Sequence, residues 1–437
     1  MYRKSTEELL TFIEKSPSCY HAVSQMETML EEAGYRKLQE SEKWELIEGG
    51  KYYVSRNGSS VIAFAVPCSS FRGFQIMASH SDSPAFKIKE HAEMVVDQKF
   101  TKLNVERYGG MIMSPWLDRP LSVAGKLIVK EDEKMVTRLV DVDRDLVLIP
   151  NLAIHMNREV NDGYKYNPQV DLLPLFGDET AKGSFMKIIA EAAGVEEENI
   201  WGSDLFLYNR VPGTFWGANE EYFSSARLDD LQCAFSSLKA FLQAENKYSV
   251  KVHCVLDNEE VGSGTKQGAA STFLSDVLHR INSGMGRSEE EYRMALASSF
   301  MLSSDNAHSV HPNQPDKADP TNRPYMNGGI VIKYNANQKY CTDAVSSAIF
   351  RMICEKAEVP YQTYANRSDI LGGSTLGNIS NTQVALNTVD IGLAQLAMHS
   401  PYETGGVKDT WYLIQAAEEF FSSSICPLGD GTYRIEK

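Results

Sequence analysis

The sequence predicts an α/β protein with a second, β-rich domain inserted into the first. A chain of 437 residues, 43% of them hydrophobic, exceeds one typical core and suggests two domains. After residue 216, short apolar strands alternate with helical patterns, which is typical of a sheet covered on both faces. Between residues 91 and 215 the pattern changes to alternating segments with charged tips, which favour antiparallel strands. We therefore expect one domain at 1–90 plus 216–437 and an inserted domain at 91–215.

The N-terminal region predicts helices followed by a hairpin. Residues 5–34 have apolar residues at helical spacing and form two predicted helices. Ser5 is placed to cap the first, with Glu8 three residues later as in a capping box. Residues 51–66 predict a hairpin around Asn57-Gly58, because this dipeptide is the strongest short turn signal.

The remaining elements of the first domain follow from short apolar runs and amphipathic stretches. The predicted strands are 74–84, 249–256, 297–304, 329–334 and 384–392. The predicted helices are 226–244, 341–357 and 408–424.

Composition excludes several classes of function. The formal net charge of -15 disfavours nucleic acid as a partner. The seven cysteines are scattered without a CxxC pair, which argues against disulfides and against a thiolate metal site. No apolar run approaches the roughly 18–20 residues that span a bilayer, and the N-terminus lacks a signal-peptide pattern. We expect a cytoplasmic protein with no membrane and no nucleic-acid partner.

Polar side chains follow the apolar runs at the point where each run ends. Active sites of open α/β sheets lie beyond the carboxyl ends of the strands, so these side chains are candidates for one site. The candidates are His80, Asp82, Asp229, Glu259, Glu260, Asp305 and His399. The set consists only of carboxylates and imidazoles, which is the donor chemistry of a two-zinc or mixed zinc and manganese hydrolytic site.

Two adjacent glutamates at the end of a buried strand suggest two different tasks. Neighbouring side chains in an extended chain point in different directions. Two metal ions about 3.5–4 Å apart lower the pKa of a bridging water. One of Glu259 and Glu260 can then bind a metal while the other takes the proton of that water as general base. Asp82 is placed to orient His80 by accepting its second N–H.

Each of these residues also has a structural interpretation when it is taken alone. Asp229 suits the first turn of a helix, where a carboxylate interacts with the helix dipole. Asp305 suits a cap, and His399 suits a hydrogen-bonded core histidine. The nearby His308 and His311 are interpreted as structural or supporting residues, because Asp305 lies nearer the strand end. It is their joint position at strand ends and helix starts that favours a metal site.

Several long stretches of the sequence resemble the aspartyl aminopeptidase family of metallopeptidases, in its bacterial branch. The matching stretches are SPSCYHAV, ASHSDSPAFKIK, LIPNLAIHMNR, ARLDDLQ, DNEEVGSGTKQGA, SSDNAHSVHPN, IVIKYNANQKY, GGSTLGNI and DIGLAQLAMHSPYE. They extend from near residue 17 to residue 403 and so cover nearly the whole chain. Ser81 and Cys19 are departures, since relatives often carry Thr and Pro there.

The resemblance implies a fold, an assembly and a metal site. The fold is a phosphorylase/hydrolase-like zinc peptidase domain with an inserted dimerisation domain, and the assembly is a tetrahedral dodecamer. Two zinc ions per subunit are implied, with manganese or cobalt as alternatives. Glu259 would be the general base, and Asp82 would orient a metal-binding histidine. The implied ligands are His80, Asp229 and Asp305 for one ion, and Asp229, Glu260 and His399 for the other.

The resemblance also implies residues that contact a peptide substrate. His155 would reach into the site of a neighbouring subunit, and Lys333 would lie near the substrate pocket. Gly373 and Ser374 would form part of the pocket wall. The N-terminal residue removed can be acidic, neutral or hydrophobic, because relatives differ and Lys333 can serve an acidic side chain or another salt bridge.

Two other functions are compatible with these residues. A deacetylase or carboxypeptidase uses a similar centre, and only an aminopeptidase requires a free N-terminal amine. A peptide-binding or scaffold subunit with an inactive site is the other alternative. The presence of every ligand and of the base argues against the inactive scaffold.

Overall fold

The computed structural model describes residues 1–437. Its helices are α1 (Tyr2–Glu14), α2 (Cys19–Glu32), α3 (Pro168–Asp171), α4 (Phe185–Ala193), α5 (Leu228–Gln243), α6 (Phe273–Gly284), α7 (Glu289–Ala297), α8 (Ala344–Lys356), α9 (Leu376–Ser380) and α10 (Asp409–Ser422). Its strands are β1 (Arg36–Lys37), β2 (Lys51–Arg56), β3 (Ser60–Ala65), β4 (Phe74–His80), β5 (Ala85–Val96), β6 (Phe100–Tyr108), β7 (Pro120–Glu131), β8 (Lys134–Asp141), β9 (Val147–Leu148), β10 (Leu175–Asp178), β11 (Ile200–Asn209), β12 (Thr214–Trp216), β13 (Tyr222–Ser225), β14 (Val250–Leu256), β15 (Phe300–Ser304), β16 (Ala307–His308), β17 (Ile330–Tyr334), β18 (Tyr361–Ala365), β19 (Asn387–Leu396), β20 (Glu403–Gly406), β21 (Ser424–Gly429) and β22 (Thr432–Glu436).

The main sheet has 13 strands, and its centre positions the candidate site. The strand order is β1-β2-β3-β14-β4-β15-β19-β20-β13-β12, with β16, β17 and β18 attached through β19. The neighbours β14, β4, β15 and β19 are parallel to one another. Their carboxyl ends therefore meet at the same edge of the sheet.

Helices cover both faces of this sheet, as the alternation of side chains along its strands requires. On β14, Val252 and Cys254 belong to one apolar cluster, of 27 buried residues, and Val255 belongs to another of 43. The smaller cluster includes side chains of α6, α7 and α9, and the larger includes side chains of α1, α2, α5, α8 and α10. Successive strand residues point to opposite faces, so the strand is buried on both.

A separate, antiparallel sheet contains the strands β5 to β11. Its order is β11-β5-β6-β10-β9-β7-β8, and a further pairing of β11 with β7 closes six of these strands into a ring. This sheet has its own apolar cluster of 21 buried residues, which includes side chains of α4. It extends in sequence from Ala85 to Asn209. The predicted domain limits, 91 and 215, stay a prediction.

One local prediction about the N-terminus is wrong. Helix α1 begins at Tyr2, so Ser5 lies inside the helix and its hydroxyl donates to the carbonyl of Met1. The next residue, Thr6, is fully buried, and its hydroxyl donates to the carbonyl of Val407. Tertiary packing therefore extends the helix one turn beyond the point at which the local pattern starts it. No helix of the protein combines the length and apolar character needed to cross a membrane.

Candidate metal centre

Most candidate residues end or follow the central strands and lie together at the carboxyl edge of the main sheet. His80 is the last residue of β4, and Asp305 follows the last residue of β15. Glu259 and Glu260 lie three and four residues beyond the end of β14. His399 follows β19 in a turn where its own φ is 67°. Because the strands are parallel, these residues lie close together in space although they are far apart in the sequence.

Asp229 lies at the middle of the cluster, in the first turn of α5. Its Oδ1 is 3.3 Å from Nε2 of His80, and its Oδ2 is 3.6 Å from Nε2 of His399. Nε2 of His399 also lies 3.4 Å from Oε2 of Glu260. Asp305 also lies within 4.8 Å of His80 and Asp229, measured between potential ligand atoms. Asp229 therefore belongs to two groups of potential ligands, one on each of its carboxylate oxygens.

The donor set fits zinc. It contains only imidazole nitrogens and carboxylate oxygens, which are ordinary zinc ligands. The oxygens Oδ1 of Asp229 and Oε1 of Glu260 are buried and have no hydrogen-bond partner. Buried carboxylates that lack partners are costly to a fold, and a bound cation removes that cost.

Burial, together with neighbouring negative charges, shifts the pKa values of the cluster. Burial raises the pKa of Glu259 to about 8 and that of Asp305 to about 6. Burial also raises the pKa of Glu260 well above its usual range. Burial alone would raise the pKa of Asp229 too, but contacts with His399 and His80 outweigh it and lower that pKa. So many carboxylates in one buried place are typical of a cation site.

Asp82 holds the backbone of the two glutamates through hydrogen bonds. Its Oδ1 accepts the backbone N–H of Glu259 at 3.1 Å, and its Oδ2 accepts that of Glu260 at 3.2 Å. Nδ1 of His80 donates to the backbone carbonyl of Asp82 at 3.0 Å and lies 3.4 Å from its Oδ1. Asp82 thus contacts His80 through two oxygens, whereas the sequence suggested the carboxylate alone.

A cavity of about 170 Å³ opens beside the cluster. Lys333, buried to 3% exposure, lines it, with Nζ 3.8 Å from Oδ1 of Asp305. His308 also lines the cavity, and its ring meets Tyr364 edge-on at 6.1 Å between centroids. The other predicted residues that line it are Asp229, Glu259, Asp305, Gly373, Ser374 and His399.

Two predicted residues belong neither to the ligand cluster nor to the lining of this cavity. His155 is exposed, in the loop between β9 and α3, and does not line it. His311 also lies outside it, and its Nδ1 accepts the backbone N–H of Asn313 at 3.2 Å.

The structure adds two carboxylates that sequence reasoning missed. Asp230 is fully buried within reach of His80, and its Oδ2 accepts the backbone N–H of His80 at 3.1 Å. Glu403 is buried, and its two oxygens accept the backbone N–H groups of Asp229 at 3.0 Å and His399 at 2.7 Å. Each lies close in sequence to a predicted ligand, and this closeness was the only sequence signal that could have identified them.

Comparison with known families agrees with this geometry. The family described as aminopeptidase I zinc metalloprotease (M18) matches residues 12–421. A probable M18 family aminopeptidase 2 of Clostridium acetobutylicum is 48% identical over 425 residues, covering 95% of this chain and 98% of the relative. One of Pseudomonas aeruginosa is 38% identical, covering 98% of this chain and 100% of the relative.

Solved structures show the same fold. The structure of the Ape4 and Nbr1 complex matches with a TM-score of 0.93 and 32% identity, covering 97% of this chain and 86% of the other. The S. cerevisiae mApe1 dodecamer matches with a TM-score of 0.84 and 27% identity, covering 96% and 97%. These matches confirm a mixed α/β fold with a β-rich part. The chain belongs to the M18 family of zinc metallo-aminopeptidases, which are hydrolases.

Proposed function

We propose that this enzyme removes N-terminal amino acids from peptides with a two-metal centre and Glu259 as general base. The observation that carries the proposal is the double contact of Asp229, whose two oxygens face His80 on one side and His399 on the other. A carboxylate in that position is suited to bridge two ions. The catalytic region is accordingly assigned to the phosphorylase/hydrolase-like zinc peptidases.

Five side chains would hold two zinc ions in each subunit. When bound, such ions lower the pKa of a water molecule and polarise a peptide carbonyl, and manganese or cobalt can do the same. One ion would be held by His80, Asp229 and Asp305, and the other by Asp229, Glu260 and His399. Asp82 and Glu403 would hold the backbone of these ligands in place.

Glu259 is the side chain best suited to move the proton. It lines the cavity beside the cluster, whereas its neighbour Glu260 faces His399. Because burial raises its pKa to about 8, the carboxylate of Glu259 has substantial affinity for a proton near neutral pH. In this role Glu259 accepts a proton from the attacking water and delivers it to the leaving amine.

Lys333 and the GGSTLG segment would bind the first residue of the peptide. The ammonium group of Lys333 is the only cationic side chain among the residues that line the cavity, apart from histidines. It offers a partner to an acidic side chain. Alternatively, Asp305 already balances the charge of Lys333, because the two side chains are in contact. In that case, the enzyme prefers a neutral or hydrophobic N-terminal residue in the peptide. Gly373 and Ser374 form one wall in either case.

The assembly would be a tetrahedral dodecamer in which His155 completes the site of a neighbouring subunit. His155 is exposed in the single chain and so is available to a second copy. A similar protein has been solved as a dodecamer. All seven cysteines are free, which agrees with a cytoplasmic location.

Peptides with free and acetylated N-termini distinguish this function from deacetylation. We expect hydrolysis of an unmodified peptide at its first bond and no reaction with the acetylated form, measured by mass spectrometry of the products. Release of acetate, or trimming from the carboxyl end, would instead support a deacetylase or carboxypeptidase.

A further inference from the structure

The segment at the end of β6 contacts two of the loops that carry metal ligands in the proposed function, the one after β14 and the one after β19. This segment, Tyr108–Ile112, reaches Asp82 and Asn258 near the two glutamates and also reaches His399. The inference that follows rests on the proposed function, since it concerns how these ligands are held.

Tyr108 joins Asp82 to the loop after β14. Its hydroxyl donates to Oδ2 of Asp82 at 2.7 Å and accepts the side-chain N–H of Asn258 at 2.8 Å. The same carboxylate accepts the backbone N–H groups of Glu259 and Glu260. The Tyr108 hydroxyl therefore orients the Asp82 carboxylate, which in turn accepts the backbone N–H groups of both glutamates.

The residues after Tyr108 hold His399 at two points. The carbonyl of Gly110 accepts Nδ1–H of His399 at 2.6 Å, and the N–H of Ile112 donates to the carbonyl of His399 at 3.0 Å. The first bond places the ring proton on Nδ1, which leaves Nε2 free to face Glu260 and Asp229.

Gly109 permits this close approach. Its φ is +79°, and a Cβ atom there would lie 3.1 Å from Cβ of Glu260 and 3.4 Å from Cβ of Pro84. Both the backbone conformation and the space therefore suit glycine. At Gly109 the segment thus packs closely against Glu260 and Pro84 without a side chain of its own in the way.

We infer that Tyr108 is a positioning residue for the metal site, acting through Asp82, and that the Gly110 carbonyl positions His399. The second sheet accordingly sets the zinc affinity of a centre whose ligands all belong to the main sheet and its helices. Outer hydrogen-bond partners of metal ligands typically change affinity by about 10–100-fold when they are removed.

The substitution Tyr108→Phe tests this directly. The ring stays in place because it packs edge-on against Phe206, with 5.5 Å between centroids, and only the hydroxyl is lost. Tyr208→Phe is the matched control, since the hydroxyl of Tyr208 donates at 2.6 Å to Asp141, which is not part of the cluster. Zinc dissociation constants are measured by competition with a chromophoric chelator on the metal-stripped full chain.

We expect Tyr108→Phe to weaken zinc binding by about 10-fold, the lower end of the range for outer hydrogen-bond partners because the phenol acts through Asp82, and Tyr208→Phe to leave it unchanged. The absorption spectrum of cobalt-loaded protein should change in the first variant only, because it reports ligand geometry. If Tyr108→Phe binds zinc as tightly as the unaltered protein, the positioning role of Tyr108 is wrong, while the proposed function still stands. Equal weakening in both variants would have the same meaning. Failure of the unaltered protein to bind zinc would overturn the proposed function itself.

Discussion

Glu259 and Glu260 are adjacent residues with different surroundings. Glu260 lies against His399, and Glu259 faces the cavity. A three-residue turn of 3-10 helix, Glu259–Val261, separates the directions of the two side chains just after Asn258, which has a φ of 63°. The pair therefore suits a division between proton transfer and metal binding.

Substitution of Glu259 by Gln should remove turnover while the zinc content stays close to two ions per chain. The amide keeps the shape of the side chain but cannot accept the proton, and general bases contribute about 10²–10⁴-fold to rate. The measurement combines kcat with metal analysis of the same preparation. Glu260→Gln is the control, for which we expect zinc to be lost as well. Loss of zinc from Glu259→Gln would argue that this residue is a ligand.

The stability of metal-free protein should depend on pH. Burial raises the pKa values of Asp305 to about 6 and of Glu259 to about 8, both above the roughly 4 expected in an unfolded chain. A carboxyl group whose pKa is raised by folding stabilises the fold when protonated, and that stabilisation is lost as pH rises from about 4 through these values. Contacts with Asp229 and Glu260 outweigh the burial of His399 and raise its pKa to about 10, which acts in the same direction above about pH 6.5.

We therefore expect the melting temperature of chelator-treated protein to fall between about pH 6 and about pH 8.5, and zinc to raise it most at the higher pH. Differential scanning calorimetry with and without zinc measures both effects. Glu259→Gln should show a shallower fall, because Gln does not titrate. A metal-free melting temperature that rises across this interval would show that other groups dominate.

The sequence marked the proposed ligands more clearly than the residues that support them. His80, Asp229, Glu260, Asp305 and His399 follow apolar runs or begin a helix, which are local signals. Asp230 and Tyr108 contact residues distant in sequence, and Glu403 contacts the distant Asp229 as well as the nearby His399. Apart from the closeness of Asp230 and Glu403 to predicted ligands, no local pattern marks them. Their roles depend on tertiary structure alone.

Among the secondary-structure elements, α5 joins the core to the proposed metal site. It begins at Leu228, next to Asp229, and most of its side chains are buried. Leu238, fully buried in the larger apolar cluster, lies well beyond the ligand along the helix. Asp229 and Asp230 have non-helical backbone angles, so the regular helix follows them and anchors this segment through its packing.

Truncation of Leu238 to Ala should therefore cost about 2–5 kcal/mol of folding free energy. Met294 on α7 is 58% exposed, and its truncation should change stability by no more than about 0.5 kcal/mol. Chemical denaturation of both variants at one protein concentration measures the difference. Equal effects would mean that the burial assigned to α5 is wrong.

Seven of the 13 strands of the main sheet were predictable, because each contains a short apolar run flanked by polar residues. The other six strands have only two to five residues and carry no such run. The start of α1 was not, because Thr6 is held by Val407 at the other end of the chain. The ring of pairings in the second sheet was not predictable either. Alternation predicts antiparallel strands, but strand order depends on pairings such as β11 with β7.

At the scale of the whole molecule, the proposed assembly predicts a native mass near twelve times 48.8 kDa. Light scattering coupled to size exclusion measures it. A monomer at micromolar concentration would contradict the dodecamer.

Mixed assemblies test whether His155 acts in a neighbouring subunit. His155→Ala and Glu259→Gln should each be nearly inactive alone, since one lacks the contact and the other lacks the base. Co-expressed, a Glu259→Gln subunit can supply His155 to a partner whose Glu259 is intact, so activity should exceed that of either variant. Activity no greater than the average of the two would place His155 outside the site or within its own subunit.

The most direct test of the central claim is hydrolysis of a panel of aminoacyl chromogenic substrates by metal-stripped protein, before and after zinc is restored. A metal-dependent aminopeptidase gives no cleavage without metal and cleaves free-amine substrates with zinc. The preferred residue then shows whether Lys333 selects acidic side chains. No cleavage of any free-amine substrate with zinc, manganese or cobalt would contradict the account.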